Sequence, residues 1–197
     1  MLGTISKEIT RHFVRKGVIR EEKAPIYSYG FELLLATCVN IILVVAISAI
    51  FHHTYAGLFF LLAFIPLRTT AGGYHANSHF SCCCVFVGVY VLSLAIVSLM
   101  SSKGAPYVCV ILAVVSSVIV FRFAPVEAEN KPLSQRLRKT NRHRSVVISS
   151  LNLLLALILF FSPIHDKWVL GSYFLGVTAA SISILVVKLF GVKEVKQ

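Results

Sequence analysis

The fold class this sequence predicts is an all-α integral membrane protein of about six transmembrane helices, some of them short or re-entrant. An amphipathic interfacial helix is expected at its N-terminus. Three observations predict this. Hydrophobic residues make up 57% of the 197 and charged ones only 14%, where an ordinary soluble domain carries roughly 25% charged. Six apolar stretches recur, at about 31–51, 55–67, 83–100, 106–123, 146–162 and 168–190. The basic residues collect in alternate connections between those stretches, which an even number of crossings explains.

In chain order, Leu2 to Arg20 reads as a surface helix, since Leu2, Ile5, Ile9 and Phe13 recur at spacings of three and four while Lys7, Arg11 and Arg15 lie on other faces. Such a helix either lies in the headgroups with its cations against anionic lipid or packs on the membrane domain. The first 30 residues carry scattered charges and lack the uninterrupted apolar core of a secretory signal. Residues 1–29 are therefore expected to form the interfacial helix and 30–197 a polytopic membrane domain. Its two polar loops are 68–82 and 124–145. A helix needs about 20 residues to cross ~30 Å of hydrocarbon, so the first and last stretches are comfortable spans. The second is short and ends at Pro66, as a tilted half-span or a segment that dips in and returns.

If there are six spans, all but Lys103 and Lys167 of the 19 Lys and Arg residues fall on one side. The positive-inside rule then puts both termini and the 68–82 loop in the cytoplasm. A net charge of +11 segregated in this way points to a membrane surface and not to nucleic acid. The five cysteines (Cys38, Cys82, Cys83, Cys84, Cys109) are odd in number and lie in or beside apolar runs, which argues against a disulfide framework. Cys38 and Cys109 read as small buried hydrophobes.

The chemistry concentrates in two segments. In the first, Arg68-Thr-Thr-Ala-Gly72-Gly73-Tyr-His75-Ala-Asn-Ser-His79-Phe-Ser-Cys82, a histidine and a cysteine stand seven residues apart. On one straight helix that spacing means ~10 Å, too far for a base to take a thiol proton, so the chain must bend between them. Gly72-Gly73 permits irregular backbone, and Asn77-Ser78 favours a turn or a helix start. Cys82 then falls in the first turn of the next span, where the helix dipole favours a thiolate and free amides suit an oxyanion. Against this stands the plain reading of small thiols and interfacial histidines around a loop. A metal site is a further alternative, with His75, His79 and Cys82 or Cys83 on one helical face, but there is no second ligand cluster. No cofactor is implied. In the second segment, Pro125 and Pro132 bound a loop holding Glu127, Glu129 and Asn130, any of which could orient the histidine, followed by the basic run to Arg144.

Together these segments resemble the accessory gene regulator B (AgrB) family of quorum-sensing peptide-processing enzymes. The resemblance rests on Arg68, the run Ala71-Gly-Gly-Tyr-His-Ala76, the His75-to-Cys82 spacing and Ala124-Pro-Val-Glu127…Asn130-Lys-Pro-Leu133. It implies a membrane-embedded cysteine endopeptidase of the bacterial plasma membrane, with His75 as catalytic base and Cys82 as nucleophile. Arg68 and Gly73 would match positions important for activity, and Lys131 would open the basic loop linked to processing. The substrate so implied is a small precursor peptide with an amphipathic N-terminal helix and an acidic C-terminal tail, the tail held by Lys131, Arg136, Arg138 and Lys139. Attack by Cys82 would leave an acyl-enzyme thioester that an internal nucleophile closes into a thiolactone or lactone. The family's cysteine is usually not tripled as it is here at Cys82–Cys84. A homodimer is expected, partly by the same resemblance, because six small spans make a thin bundle. Gly171, Gly176, Ser181 and Ser183 of the last span allow close helix contact, with a partner or within one protomer.

The rival class is a small transporter or metal-binding membrane protein using His75, His79 and Cys82. A transporter places ionisable groups mid-span. Here the apolar stretches are nearly free of charge, with Glu32 and Arg122 near their ends.

Overall fold

The computed structural model describes residues 2–73, 79–126, 134–162 and 166–190, of His79 and Phe190 the backbone alone. Among these residues the chain forms seven α-helices and no strand: α1 (Leu2–Arg15), α2 (Ala24–Ile50), α3 (Thr54–Ala71), α4 (His79–Leu99), α5 (Ala105–Phe123), α6 (Gln135–Phe161) and α7 (Lys167–Phe190). The six from α2 onwards are long and apolar enough to cross a membrane. This is a polytopic, all-helical membrane protein.

The chain divides into two compact units, residues 1–44 and 45–197. In the first, α1 stops at Arg15, short of the expected Arg20, because Gly17 turns the backbone to φ +69°. Its packed face is mostly small residues closed by an aromatic pair: Ser6 and Thr10 are buried, Gly3 lies on the Glu32 carboxylate and Phe13 stacks on Phe31 at 5.8 Å. Ile5 of the expected apolar stripe stays exposed and Leu2 and Ile9 are only half-buried. The helix therefore packs through one face and leaves Ile5 exposed on another. Helix α2 begins seven residues before its apolar run, with Pro25 in the first turn, where its missing N–H costs nothing. Cys38 is exposed on α2, contrary to its reading as buried: a span this thinly covered leaves its residues to lipid. Cys109 is buried as expected.

In the second unit α7 is the central helix, packed against α3, α4 and α5, with α6 against α5 and α3. Its small residues are spent inside the chain. Gly176 meets the backbone of Phe60 on α3, and Gly171 meets Val97 on α4. Of the two uses expected for them, these glycines take the one within a protomer. One core cluster joins Leu67 and Ala71 of α3, Val120 of α5 and Ala124 just after it, and Val177 and Ile184 of α7. Hydroxyls stitch the bundle where no water competes: Ser116 donates to Thr178 (3.2 Å), Ser149 to Ser117 (3.1 Å) and Tyr173 to Asn152 (2.7 Å).

Two sequence expectations change here. Helix α3 runs through Pro66 to Ala71, so the second apolar stretch is an 18-residue span and does not end at the proline. Pro66 forfeits its own bond to the carbonyl four residues back, yet the hydroxyls of Thr69 and Thr70 donate to its carbonyl at 3.0 and 2.9 Å. The basic run Arg136–Arg144, read as part of a loop, is instead the first turns of α6. Ser134 caps that helix by accepting from the Leu137 amide at 3.3 Å, and Arg, Lys, Leu and Gln are all good helix formers.

Candidate active site

The two polar segments meet at one end of the second unit. Arg68, expected in the connection, lies half-buried in the last turn of α3. Gly72 ends the helix at φ +75°, donating its N–H to the Arg68 carbonyl at 3.2 Å, and Gly73 follows at φ +132°. Both conformations suit glycine alone. Space imposes the same demand. A Cβ on Gly72 would collide with the Val126 carbonyl, and one on Gly73 would strike Ser183 of α7 while standing 2.8 Å from the Arg68 guanidinium. Across this contact the Val126 N–H donates to the Ala71 carbonyl at 2.9 Å. The backbone leading towards His75 and the backbone leading towards Glu127 are thus hydrogen-bonded to one another.

The 124–126 strip is held from the other side as well. Arg142 of α6 donates to the carbonyls of Phe121 and Ala124, neutralising the C-terminal carbonyls of α5. Beside it opens a cavity of 620 Å³ whose wall carries Arg122, Arg138, Lys139, Arg142 and Lys188. Cys82 is half-buried in the first turn of α4, the position its spacing from Asn77-Ser78 predicts. The next thiol, Cys83, is half-buried and Cys84 exposed. His75, Glu127, Asn130 and Lys131 lie outside the described residues. Arg136, Arg138 and Lys139 are exposed on the first turns of α6.

The sequence reading named Ser183 for helix contact and Arg142, Arg122 and Lys188 as basic residues, but brought none of them to this junction. A small serine in an apolar run signals close contact but not its partner, and the carbonyls that Arg142 reaches are 18 and 21 residues away. Arg122 and Lys188 were legible only as cations at span ends. Among the described residues no cluster of three or more His, Cys, Asp or Glu could hold a metal ion.

Residues 6–185 match the family model described as accessory gene regulator B. The chain belongs to that family. Among the AgrB relatives, AgrB-like protein 2 of Clostridium perfringens strain 13 is 27% identical over 179 residues, covering 87% of this chain and 83% of its own. A second AgrB-like protein, from C. perfringens strain SM101, is 28% identical over 82% of this chain and 80% of its own. Accessory gene regulator protein B of Staphylococcus aureus strain MW2 is 26% identical over 65% of this chain and 67% of its own. No solved structure matches. Membership ties the chain to quorum-sensing signalling, in which the AgrB family works with a pro-peptide precursor.

Proposed function

We propose that this protein is a membrane-embedded cysteine endopeptidase that trims the acidic C-terminal tail from a small signal-peptide precursor. The observation that carries the reading is the hydrogen bond from Val126 to Ala71, which ties together the two segments bearing every proposed reacting group. His75 takes the proton of Cys82, and the thiolate attacks the carbonyl that precedes the tail. The C–N bond breaks, the leaving amine takes the proton from His75, and a thioester to Cys82 remains. A thiol or hydroxyl within the same peptide then attacks that thioester and regenerates the Cys82 thiol, closing a thiolactone or lactone. Its effective concentration exceeds that of any free nucleophile, and an apolar setting that limits water favours the ring over hydrolysis.

Arg68, Gly72 and Gly73 shape the approach to His75, and Glu127 or Asn130 orients its ring. Lys131, Arg136, Arg138 and Lys139 hold the acidic tail. The site faces the cytoplasm of a bacterial cell, as do both termini, because the basic residues gather at that end. The enzyme works as a homodimer.

Co-expression with the precursor, read by peptide mass, tests the dyad. Cleavage vanishes with Cys82→Ala and with His75→Ala and persists with Cys83→Ala; survival in Cys82→Ala would overturn the assignment. Reversing the charges at Arg136, Arg138 and Lys139 slows acidic-tailed precursors selectively. Equal slowing of neutral-tailed ones would remove the tail from the account.

A further inference from the structure

The basic cavity contains more cations than the tail proposal uses. Arg122 is the next-to-last residue of α5, and Lys188 stands in the last turn of α7. They face the same cavity as Arg138 and Lys139 of α6. No carboxylate is among the described residues that line it. Two helices end here, and their carbonyl dipoles would repel an anion. Arg142 removes that objection for α5 by binding its terminal carbonyls, and Arg122 and Lys188 face the cavity beside it.

Depth distinguishes these cations from an ordinary surface patch. Arg122 and Lys188 close spans that are otherwise apolar, so their charges stand where hydrocarbon gives way to headgroups. Exposed apolar residues neighbour both in the sequence. Phe121, next to Arg122, is 38% exposed, and Leu189, next to Lys188, is 67% exposed. At ~30 Å³ per water, the cavity has room for about 20 waters, more than a bare ion needs. An acidic peptide would satisfy the cations but would make no use of their place at the ends of apolar spans. A diacyl anionic lipid satisfies both requirements at once.

We infer that this cavity seats the phosphate headgroup of an anionic phospholipid, held by Arg122 and Lys188, with acyl chains running along the neighbouring apolar surface. The inference is independent of the peptidase reading, since occupancy is measured without any precursor.

The test is native mass spectrometry of the full chain in detergent, titrated with phosphatidylglycerol and, separately, with phosphatidylcholine. Wild type retains phosphatidylglycerol in preference to phosphatidylcholine. Arg122→Gln/Lys188→Gln binds it about 30-fold more weakly, from the usual contribution of two basic residues at an anionic membrane surface. The control pair Lys103→Gln/Lys23→Gln, with the same charge loss, binds as wild type, and so does the charge-preserving pair Arg122→Lys/Lys188→Arg. Equal binding by the Gln pair and wild type overturns the inference, and loss in the charge-preserving pair assigns the effect to folding and overturns it too. Displacement of the lipid by millimolar inorganic phosphate identifies a site for soluble anions instead. Binding of an acidic peptide with no retention of phosphatidylglycerol makes the cavity a peptide site and excludes the lipid.

Discussion

The two ends of the 45–197 unit are closed by the same device and differ in what lies beside it. At the motif end Arg142 donates to the last carbonyls of α5. At the far end Lys167, the first residue of α7, donates to the carbonyls of Ser98 and Met100 at 3.0 Å each and so closes α4. Each is a cation from a distant part of the chain on a helix C-terminus. Elsewhere at the far end the contacts between helices are made by side chains: His53 stacks on Trp168 at 3.6 Å, Ser48 and Tyr90 share a 2.6 Å hydrogen bond, and a Cβ on Gly57 would fall on the Ser48 hydroxyl. The motif end is joined backbone to backbone, through Val126 and Ala71, and packed so tightly that two residues with positive φ have no room for a Cβ. Side-chain packing can rearrange around a substitution, and a backbone contact of this kind cannot. Among the described glycines, Gly72 and Gly73, immediately before His75, alone combine a positive φ with no room for a Cβ.

One methyl group added at each end should separate the two most strongly. Gly73→Ala puts a Cβ where Ser183 and Arg68 stand, and Gly72→Ala puts one on the Val126 carbonyl, each at an unfavourable φ. Displacement of a catalytic group by an ångström costs on the order of 100-fold in rate, so both variants should lose cleavage by about that factor. Gly104→Ala at the far end is the control. Gly104 has φ −83° and no neighbour closer than 3.6 Å, so cleavage should match wild type. Single-turnover cleavage of the precursor measures all three. Gly73→Ala with the activity of Gly104→Ala would mean that the backbone junction positions nothing.

That contrast also marks what could be read in advance. The spans were legible because crossing hydrocarbon demands apolar length, and the helix start before Cys82 was legible from Asn77-Ser78. Pro66 misled because its break is real for an isolated helix, whereas here the surrounding bundle and two threonine hydroxyls sustain α3. The run Arg136–Arg144 misled because polarity suggests a loop, although the same residues are good helix formers once Ser134 supplies a cap. Cys38 was misjudged because in a membrane protein an apolar residue need not be covered by protein. At the site, local pattern pointed to Gly72 and Gly73. Local pattern marked Ser183 for helix contact and Arg142 as part of a basic run, but their partners depend on helices meeting across long stretches of sequence.

The next largest effect should come from exchanging the two capping cations for methionine. A hydrogen bond to a charged group contributes about 1.5–3 kcal/mol, so Arg142→Met and Lys167→Met should destabilise the bundle similarly. Thermal unfolding in lipid nanodiscs measures that equality. Cleavage should separate them: Arg142→Met frees the 124–126 strip and loses activity, while Lys167→Met keeps it wherever the bundle remains folded. Ser183 refines the point with a smaller change. Ser183→Val adds bulk against Gly73 and should lower kcat about tenfold, a barrier change near 1.4 kcal/mol. Ser183→Ala, which removes only a hydroxyl bonded within its own helix to Ala180, should behave as wild type. If Ala and Val are equally impaired, the hydroxyl matters and the packing argument fails.

The smallest effect tests whether the polar contacts between helices serve the site or only the bundle. Ser116 with Thr178 and Ser149 with Ser117 link α5 to α7 and to α6 within the span. Interhelical hydrogen bonds in membranes average only ~0.6 kcal/mol by double-mutant cycle, because the separated helices also find partners. Ser149→Ala and Ser116→Ala should therefore each cost about that much stability and leave cleavage unchanged. A stability loss several times larger would mean that the hydroxyls act as one cooperative network, with the double variant less than additive. A loss of cleavage without loss of stability would carry the functional region down from the motif end into the α5–α6–α7 interior, and the boundary drawn here between the two ends would have to move.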